Sequence, residues 1–238
     1  MQSTIPRAPF CSIVVPVLNE AKWIDGFLRH LRFIAPQAET VVVDGGSCDG
    51  TKSIAEALAD VVFSAPKGRA AQMNAGAQVA RGAVLWFLHV DLQVPPRALE
   101  LMREALTDRR VVGGCFRLRF PSDAWIYRIS DSLGNLGVEV FGFALGDHGI
   151  FCRRTSYEQV GGYPLLPILE DAEIYRRLHR IGRMTQLPAE IVSSPRAYEA
   201  CGPYKTTAVY FLILALYVLR APIPWLYQIY RRLRHDLR

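Results

Sequence analysis

Two stretches decide the fold: Cys11-Ser12-Ile13-Val14-Val15-Pro16-Val17 and Thr40-Val41-Val42-Val43-Asp44-Gly45-Gly46-Ser47. Each is a short β-branched run with no polar alternation, so each reads as a strand buried on both faces. Between them, Ala21–Phe33 carries helical apolar spacing. After the second run, Ser47 or Asp49 caps a helix reaching about Leu58. The pattern then repeats: a strand at Val61–Ser64, a helix at Gly68–Ala80 closed by Gly82, a strand at Ala83–Leu88, and a helix at Pro95–Leu106 with prolines in its first turn. Continuous apolar strands separated by helices of about 10–15 residues spell βαβ units and a parallel sheet covered on both faces.

Beyond residue 110 the rhythm loosens. Val111–Phe120 and Gly149–Arg153 read as strands, Asp123–Val140 as a loose helix or loop-rich insertion, and Asp171–Arg180 as a helix that stops at Gly182. Nothing repeats, and no low-complexity linker divides the chain. The expected organisation is one α/β domain over residues 1–205 and a helical tail over 206–238.

Composition sets the outer limits. Half of the 238 residues are apolar and 21% are charged, which excludes a disordered chain. No apolar run approaches the roughly 20 residues that a spanning helix needs, which excludes a multi-span membrane protein. Residues 220–238 carry five arginines against one aspartate, four of the six net positive charges. The remaining body is close to neutral and is not expected to bind nucleic acid. Five widely spaced cysteines without a CxxC pair argue against a disulfide framework and for a reducing compartment. The segment Met1–Phe10, with Pro6 and Pro9 and no apolar core, does not read as a secretion signal.

In open α/β sheets ligands bind beyond the carboxyl ends of the strands. Here those ends carry Asn19 and Glu20, then Asp44, then Lys67 and Arg69, then His89 and Asp91. This mixture suits a nucleotide: carboxylates for ribose hydroxyls and a metal, cations for phosphate. Asp44 can accept two hydrogen bonds from a sugar or base edge, Gly45 and Gly46 allow close backbone approach, and Asp49 can cap the next helix; a tight turn with capping residues is the structural alternative. The glycine spacing is not that of a dinucleotide-binding loop. Asp91 could hold Mg²⁺ or Mn²⁺ on a diphosphate, with His89 either a second ligand or a group that orients a neighbour. Glu170, Asp171 and Glu173 open a helix, where acids are favoured by the dipole and where one in a cleft can act as a general base. Gly161-Gly162-Tyr163-Pro164 before them reads as a flexible turn, and Gly146-Asp147-His148-Gly149 as a glycine-rich turn with two further polar groups.

Taken together, Val15-Pro16-Val17-Leu18-Asn19-Glu20, Asp44-Gly45-Gly46-Ser47-Cys48-Asp49-Gly50-Thr51, Lys67-Gly68-Arg69-Ala70-Ala71-Gln72-Met73-Asn74-Ala75-Gly76-Ala77, His89-Val90-Asp91 and Glu170-Asp171 resemble the motifs of a family 2 glycosyltransferase, in the same order and over residues 11–200. The resemblance implies a GT-A fold, Rossmann-like, with a mostly parallel sheet and helices on both faces. It also implies an enzyme transferring a hexosyl group from a nucleotide sugar, UDP-sugars favoured, with inversion. Pro16, Asn19, Glu20, Asp44, Gly46, Asp49, Lys67, Arg69 and Asn74 would form the nucleotide site. Asp91 and His89 would hold Mn²⁺ or Mg²⁺, and Asp171, beside Glu170, would deprotonate a small-molecule or lipid acceptor. His89 departs from the family pattern, which has a first aspartate there. Arg69–Ala77, Phe87–Pro95 and Gly146–Phe151 further resemble a subfamily described as radical-SAM/selenodomain-associated transferase 2, linked to arsenosugar biosynthesis. The competing readings are a nucleotidyltransferase and a non-catalytic, membrane-associated nucleotide-sugar-binding protein.

The tail opens with twelve apolar residues, Ala208–Leu219, too few to span a bilayer. From Trp225 on, Leu226, Ile229, Tyr230, Leu233 and Leu237 share one helical face, while Arg231, Arg232, Arg234 and Arg238 share the other. A basic amphipathic helix suits the inner face of the cytoplasmic membrane; packing on the domain or in a homodimer is the alternative.

Overall fold

The computed structural model describes residues 8–235. Residues Met1–Arg7 of the N-terminal segment, and Asp236, Leu237 and Arg238 of the tail face, lie outside the described residues, as does the side chain of Arg234. Strands β1 (Cys11–Val17) and β2 (Glu39–Asp44) are buried along their whole length. With β3 (Val61–Ser64) and β4 (Val84–Phe87) they form a parallel block in the order β3-β2-β1-β4. Successive residues of β1 face opposite ways, as a pleated strand requires. Ile13, Val15 and Val17 join one core with Ile24, Phe27, Leu28 and Leu31 of helix α1 (Ala21–Ile34) and Met102 of α4 (Ala98–Ala105). Val14 joins the other core with Met73 of α3 (Arg69–Val79) and Tyr175 and Leu178 of α7 (Glu170–Ile181). Helices on both faces thus follow from strands that are apolar on both faces.

The far half of the sheet is mixed. It holds β5 (Leu92–Gln93), β6 (Val111–Arg119), β7 (Phe151–Arg153) and β8 (Arg183–Ser193), and the full order is β3-β2-β1-β4-β7-β6-β8-β5. β7 runs antiparallel to both β4 and β6, while β8 is parallel to β6. β8 escapes sequence reading because Pro188 interrupts it. The register jumps from Phe116↔Leu187 to Arg117↔Glu190, so Pro188 and Ala189 form a bulge where no ladder N–H is needed. Between β2 and β7 the chain also forms α2 (Thr51–Glu56) and α5 (Trp125–Glu139), and after β7 the short α6 (Arg154–Gln159). The segment read as a loose insertion is therefore a continuous helix, tied down by Asn135, whose amide brackets Leu118 N–H and C=O at 2.9 and 3.0 Å.

After β8 come α8 (Arg196–Cys201), α9 (Pro203–Val218) and α10 (Ile223–His235). Val209, Ile213, Tyr217 and Leu226 are buried against Phe143, Ile168, Leu169 and Ala172. Leu226 of α10 is buried and Ile229, Tyr230 and Leu233 are partly buried against the chain itself, as in the packed-tail alternative of the sequence reading, while Trp225 is half-exposed. Among the described residues no helix is long and apolar enough to cross a membrane.

Candidate active site

Pro16 shapes the crevice where the site forms. β1 pairs with β4 only through Val14↔Phe87, closed by Leu88 N–H donating to Val14 C=O at 3.1 Å. The next bond on that side would need an N–H from residue 16, which proline lacks. β1 and β4 therefore stop pairing there, at the point where the strand order switches direction, the place such sheets leave for ligands.

Two loops meet beside this crevice. Asn19 Oδ1 accepts from Cys48 N–H at 2.9 Å, Asn19 N–H donates to the Ser47 hydroxyl at 2.9 Å, and Glu20 N–H donates to the Thr51 hydroxyl at 2.7 Å. Asp49 accepts from the N–H groups of both Ala21 and Thr51 at 3.1 Å, so it ties the starts of α1 and α2 together. The buried Asp44 carboxylate accepts from Gly46 and Ser47 N–H at 2.9 and 3.0 Å, and so folds its own loop. Gly46 lies at φ +95° with open space where a Cβ would be. Gln72 sits underneath, its Nε2 donating to Val17 and Val43 C=O at 2.9 and 2.7 Å and so joining the ends of β1 and β2. Asn74, by contrast, is bonded to a segment far along the chain. It accepts from the Tyr157 hydroxyl and Tyr163 N–H and donates to Tyr163 C=O, pinning the Gly161–Pro164 turn that the sequence suggests is flexible.

The acidic helix start is divided by the fold. Glu173 turns outward and accepts from the Tyr217 hydroxyl at 2.6 Å, holding α9. Glu170 and Asp171 point into the crevice and are 1% and 4% exposed. Leu169, just before them, takes the left-handed conformation at φ +61°, sterically unfavourable for leucine, and this turn sets the direction of the two acids. Glu170 pairs with the Arg69 guanidinium at 2.6 Å. The 3-10 turn Gly146–His148 brings Asp147 to the same place, where it accepts from the Ser193 hydroxyl at 3.1 Å. Gly146 is the contact point: a Cβ there would lie 2.4 Å from His89 Nε2 and 2.8 Å from Asp171 Oδ2.

The electrostatics follow from packing several acids around one cation. Burial raises the pKa of Asp171, and the Arg69 charge, the Tyr163 hydroxyl and the Gly146 N–H oppose it. Burial and the neighbouring Asp171 raise Glu170, again against Arg69. Asp147 is raised by burial and by Asp91. Burial disfavours the charge on Arg69, but Asp171, Glu170 and Asp147 together hold it above its ordinary value. His89 is lowered by burial and by Arg69, so it is a neutral imidazole, a form able to ligate a metal.

Arg196 and Asp147 complete the site; in the sequence Asp147 reads only as a polar group of a glycine-rich turn, and Arg196 is not singled out. Arg196 bridges Glu20 and Asp91, at 2.8 Å to each, and lies over the Trp23 ring. It follows the unrecognised strand β8, so no local motif announces it. The glycines flanking Asp147 and His148 were the available signal for Asp147. Lys67 is exposed beside the crevice. Among the described residues no three His, Cys, Asp or Glu side chains converge as a ready-made cation cage. Asp91 and His89 supply one carboxylate and one neutral imidazole, the partial set of a cation whose remaining ligands are substrate phosphates. The donor set fits Mg²⁺ or Mn²⁺ in that manner.

A profile described as Glycosyl transferase family 2 matches residues 12–159, more than half of the chain. The chain belongs to this family. Among curated relatives it is 29% identical to glycosyltransferase AglE of Haloferax volcanii over 69% of this chain and 58% of that protein. It is 33% identical to the undecaprenyl-phosphate 4-deoxy-4-formamido-L-arabinose transferase of Pseudomonas fluorescens over 63% of this chain and 47% of that one. The chain thus spans about half the length of these curated relatives. Among solved structures, the mannosyltransferase PcManGT from Pyrobaculum calidifontis, in complex with GDP-Man and Mn²⁺, aligns with a TM-score of 0.68 at 19% identity, over 98% of this chain and 70% of that one. S. aureus TarS 1-349 in complex with UDP-GlcNAc aligns with a TM-score of 0.62 at 15% identity, over 94% and 71%. The fold is GT-A, and membership of a glycosyltransferase family speaks against the nucleotidyltransferase reading.

Proposed function

We propose that this family 2 glycosyltransferase moves a sugar from a nucleoside-diphosphate donor to an acceptor hydroxyl by direct displacement, inverting the anomeric carbon, with Asp171 as general base. The observation that carries the reading is the convergence of Asp171, Glu170, Asp147 and Arg69 on the crevice opened by Pro16. Asn19, Glu20, Asp44, Gly46 and Asp49 form the loop pair on which base and ribose rest. Lys67 faces the diphosphate together with the cation, and Arg69 reaches it only on loosening its pair with Glu170. A divalent cation, held by Asp91 and His89 and completed by the phosphates, would neutralise the leaving group.

As the acceptor oxygen attacks, Asp171 takes its proton and the electron pair of the broken bond leaves with the diphosphate. A buried carboxylate with a raised pKa is a stronger base than a solvated one, and general-base work contributes about 10²–10⁴-fold. Arg69 keeps Glu170 and Asp171 compatible at close quarters. The rest of the acceleration comes from positioning and from charge stabilisation in a crevice with little water.

A thermal-shift screen of UDP-, GDP- and dTDP-sugars with Mn²⁺ tests the donor, since a bound ligand raises the melting temperature by mass action. Asp171→Asn is expected to lower transfer by at least about 10²-fold while the donor-induced shift persists. Near-normal turnover in that variant would remove Asp171 from the role. The arsenosugar-linked resemblance is a matter of motifs and is tested by the acceptor identified. Membrane contact passes from α10, whose apolar face is mostly packed on the chain, to Trp125, Ile129, Leu136 and Val140, which form an exposed stripe along α5 beside Phe211 and Leu212 of α9. Liposome flotation of the full chain against Trp125→Ser/Phe211→Ser tests this; equal flotation would end the idea.

A further inference from the structure

A cavity of about 190 Å³ leads away from the crevice between α5, α9, α10 and β6. Its head is Asp171, Asp147, Gly146 and Arg69, and its body is mostly apolar, with Leu118, Phe120, Leu133 and Phe211 in its walls beside the rings of Tyr198, Tyr210 and Tyr230. Ser130 and Thr207 also line it, but their hydroxyls bond each other at 3.0 Å. Phe211 is 55% exposed, so the cavity communicates with solvent. An apolar cavity of about 150 Å³ accepts a benzene ring. This one holds a ring with a short substituent, or a chain of similar bulk.

The charge at the head decides what the occupant presents there. The only cation in the lining is Arg69, and it is paired with Glu170 at 2.6 Å. Two further carboxylates, Asp171 and Asp147, face the same space. A phosphate monoester brings a charge of about −1.5 to −2 at neutral pH. Placed here, it would meet an excess of acids, one of them the buried Asp171, and one arginine already paired with Glu170; Arg69 is half-exposed, so solvent screens part of the repulsion but not the side of Asp171. A phosphate oxygen, already ionised, also has no use for a general base, whereas a hydroxyl does.

We propose that the acceptor is an uncharged alcohol whose apolar body, about the size of a substituted ring, fills this cavity and brings its hydroxyl to Asp171. This differs from the undecaprenyl phosphate in the name of the Pseudomonas fluorescens relative. The inference rests on the transferase reading above for the chemistry but on the cavity alone for binding. The bond between acceptor oxygen and anomeric carbon forms, that between the anomeric carbon and the diphosphate oxygen breaks, the proton passes to Asp171, and the nucleoside diphosphate leaves with the electron pair.

The test pairs 2-phenylethanol with 2-phenylethyl phosphate, and n-hexanol with n-hexyl phosphate, on the full chain. Binding is read by titration calorimetry without donor, and transfer by mass spectrometry with UDP- or GDP-sugar and Mn²⁺. Each alcohol is expected to bind at least about tenfold more tightly than its phosphate, given like charge at the head. Leu133→Trp, which fills the cavity, abolishes alcohol binding but leaves the donor-induced thermal shift. Asp171→Asn, which removes one acid, narrows the difference between alcohol and phosphate. Equal or tighter binding of the phosphates overturns the proposal, as does alcohol binding that survives Leu133→Trp. Transfer to the phosphates in preference to the alcohols overturns it while leaving the transferase reading in place. Alcohol binding that Leu133→Trp abolishes, without transfer from any donor, supports the pocket and counts against the transferase reading.

Discussion

Replacing Gly146 by alanine sets a methyl group between His89 and Asp171. The added carbon would lie 2.4 Å from His89 Nε2 and 2.8 Å from Asp171 Oδ2, whereas ordinary contacts begin near 3.4 Å. One or both groups must retreat by about 0.6–1.0 Å, because dense packing leaves little slack. A displacement of about 1 Å in a reacting group costs about 10²-fold in rate. Overpacking of this kind also destabilises by about 1–3 kcal/mol, and each kcal/mol lowers the melting temperature by about 2–4 °C at this chain length. The nucleotide loops lie on other elements, so donor affinity without metal is expected to hold within about threefold, whereas affinity with Mn²⁺ also reports any retreat of His89. The assay is nucleoside-diphosphate release against donor concentration, with the product verified by mass spectrometry and melting followed in parallel. Gly146→Ala combined with Asp171→Asn should lose less than the product of the two single losses, since both act on Asp171. A Gly146→Ala enzyme with wild-type kcat would refute the placement of Asp171 at the reacting centre, whatever its melting temperature.

Other substitutions separate structure from chemistry. Asn74→Ala removes three hydrogen bonds around Tyr157 and Tyr163 and should destabilise by about 1–3 kcal/mol, leaving the donor Kd unchanged; a large loss of donor affinity at full stability would return Asn74 to the nucleotide site. His148 is wholly buried and its pKa is pushed down to about 4, chiefly by desolvation. The unfolded chain therefore binds the extra proton between about pH 6.5 and 4, and stability falls as pH falls through that window. In His148→Gln this contribution should vanish, so the variant gains on the wild type on acidification from pH 7 to pH 4.5, as thermal melts at the two pH values would show. A constant difference between the two proteins would contradict the burial argument. Arg196→Ala frees Glu20 and Asp91 together, and Mn²⁺ should bind about two- to fivefold more tightly by calorimetry; unchanged Mn²⁺ affinity would take Asp91 out of the metal site.

Much of this protein is legible locally. β1 and β2 announce themselves because a strand covered on both faces must be apolar at every position, and no helix pattern imitates that. Glu20, Asp44, Arg69 and Asp91 are legible as candidates for a related reason: each stands at or follows the end of a strand, where the chain turns polar, whereas Asp171 is legible as an acid opening a helix. Asn74 shows the limit of that reasoning. It belongs to a recognisable motif, yet its amide binds a turn about 90 residues later, and nothing in the motif tells a ligand contact from a structural one. Strand β8 was invisible because Pro188 breaks its pattern, and with it went Arg196, whose meaning depends on two carboxylates supplied by other strand ends.

The sequence by itself determined the doubly covered parallel block, the crevice edge and the identity of the acids and cations along it. These follow from interactions between near neighbours in the chain, where period, capping and the missing N–H of Pro16 act within a few residues. Tertiary structure alone decided that Glu173 holds α9 while Asp171 enters the crevice, that Arg69 faces three acids, and that the tail packs most of its apolar face on the chain itself. It also decided that a mostly apolar cavity opens at Asp171 and Asp147. Such outcomes depend on which distant segments meet, and burial then changes what each group can do. A carboxylate that would be an ordinary solvated acid in the isolated helix is buried in the crevice beside Arg69, where burial raises its pKa.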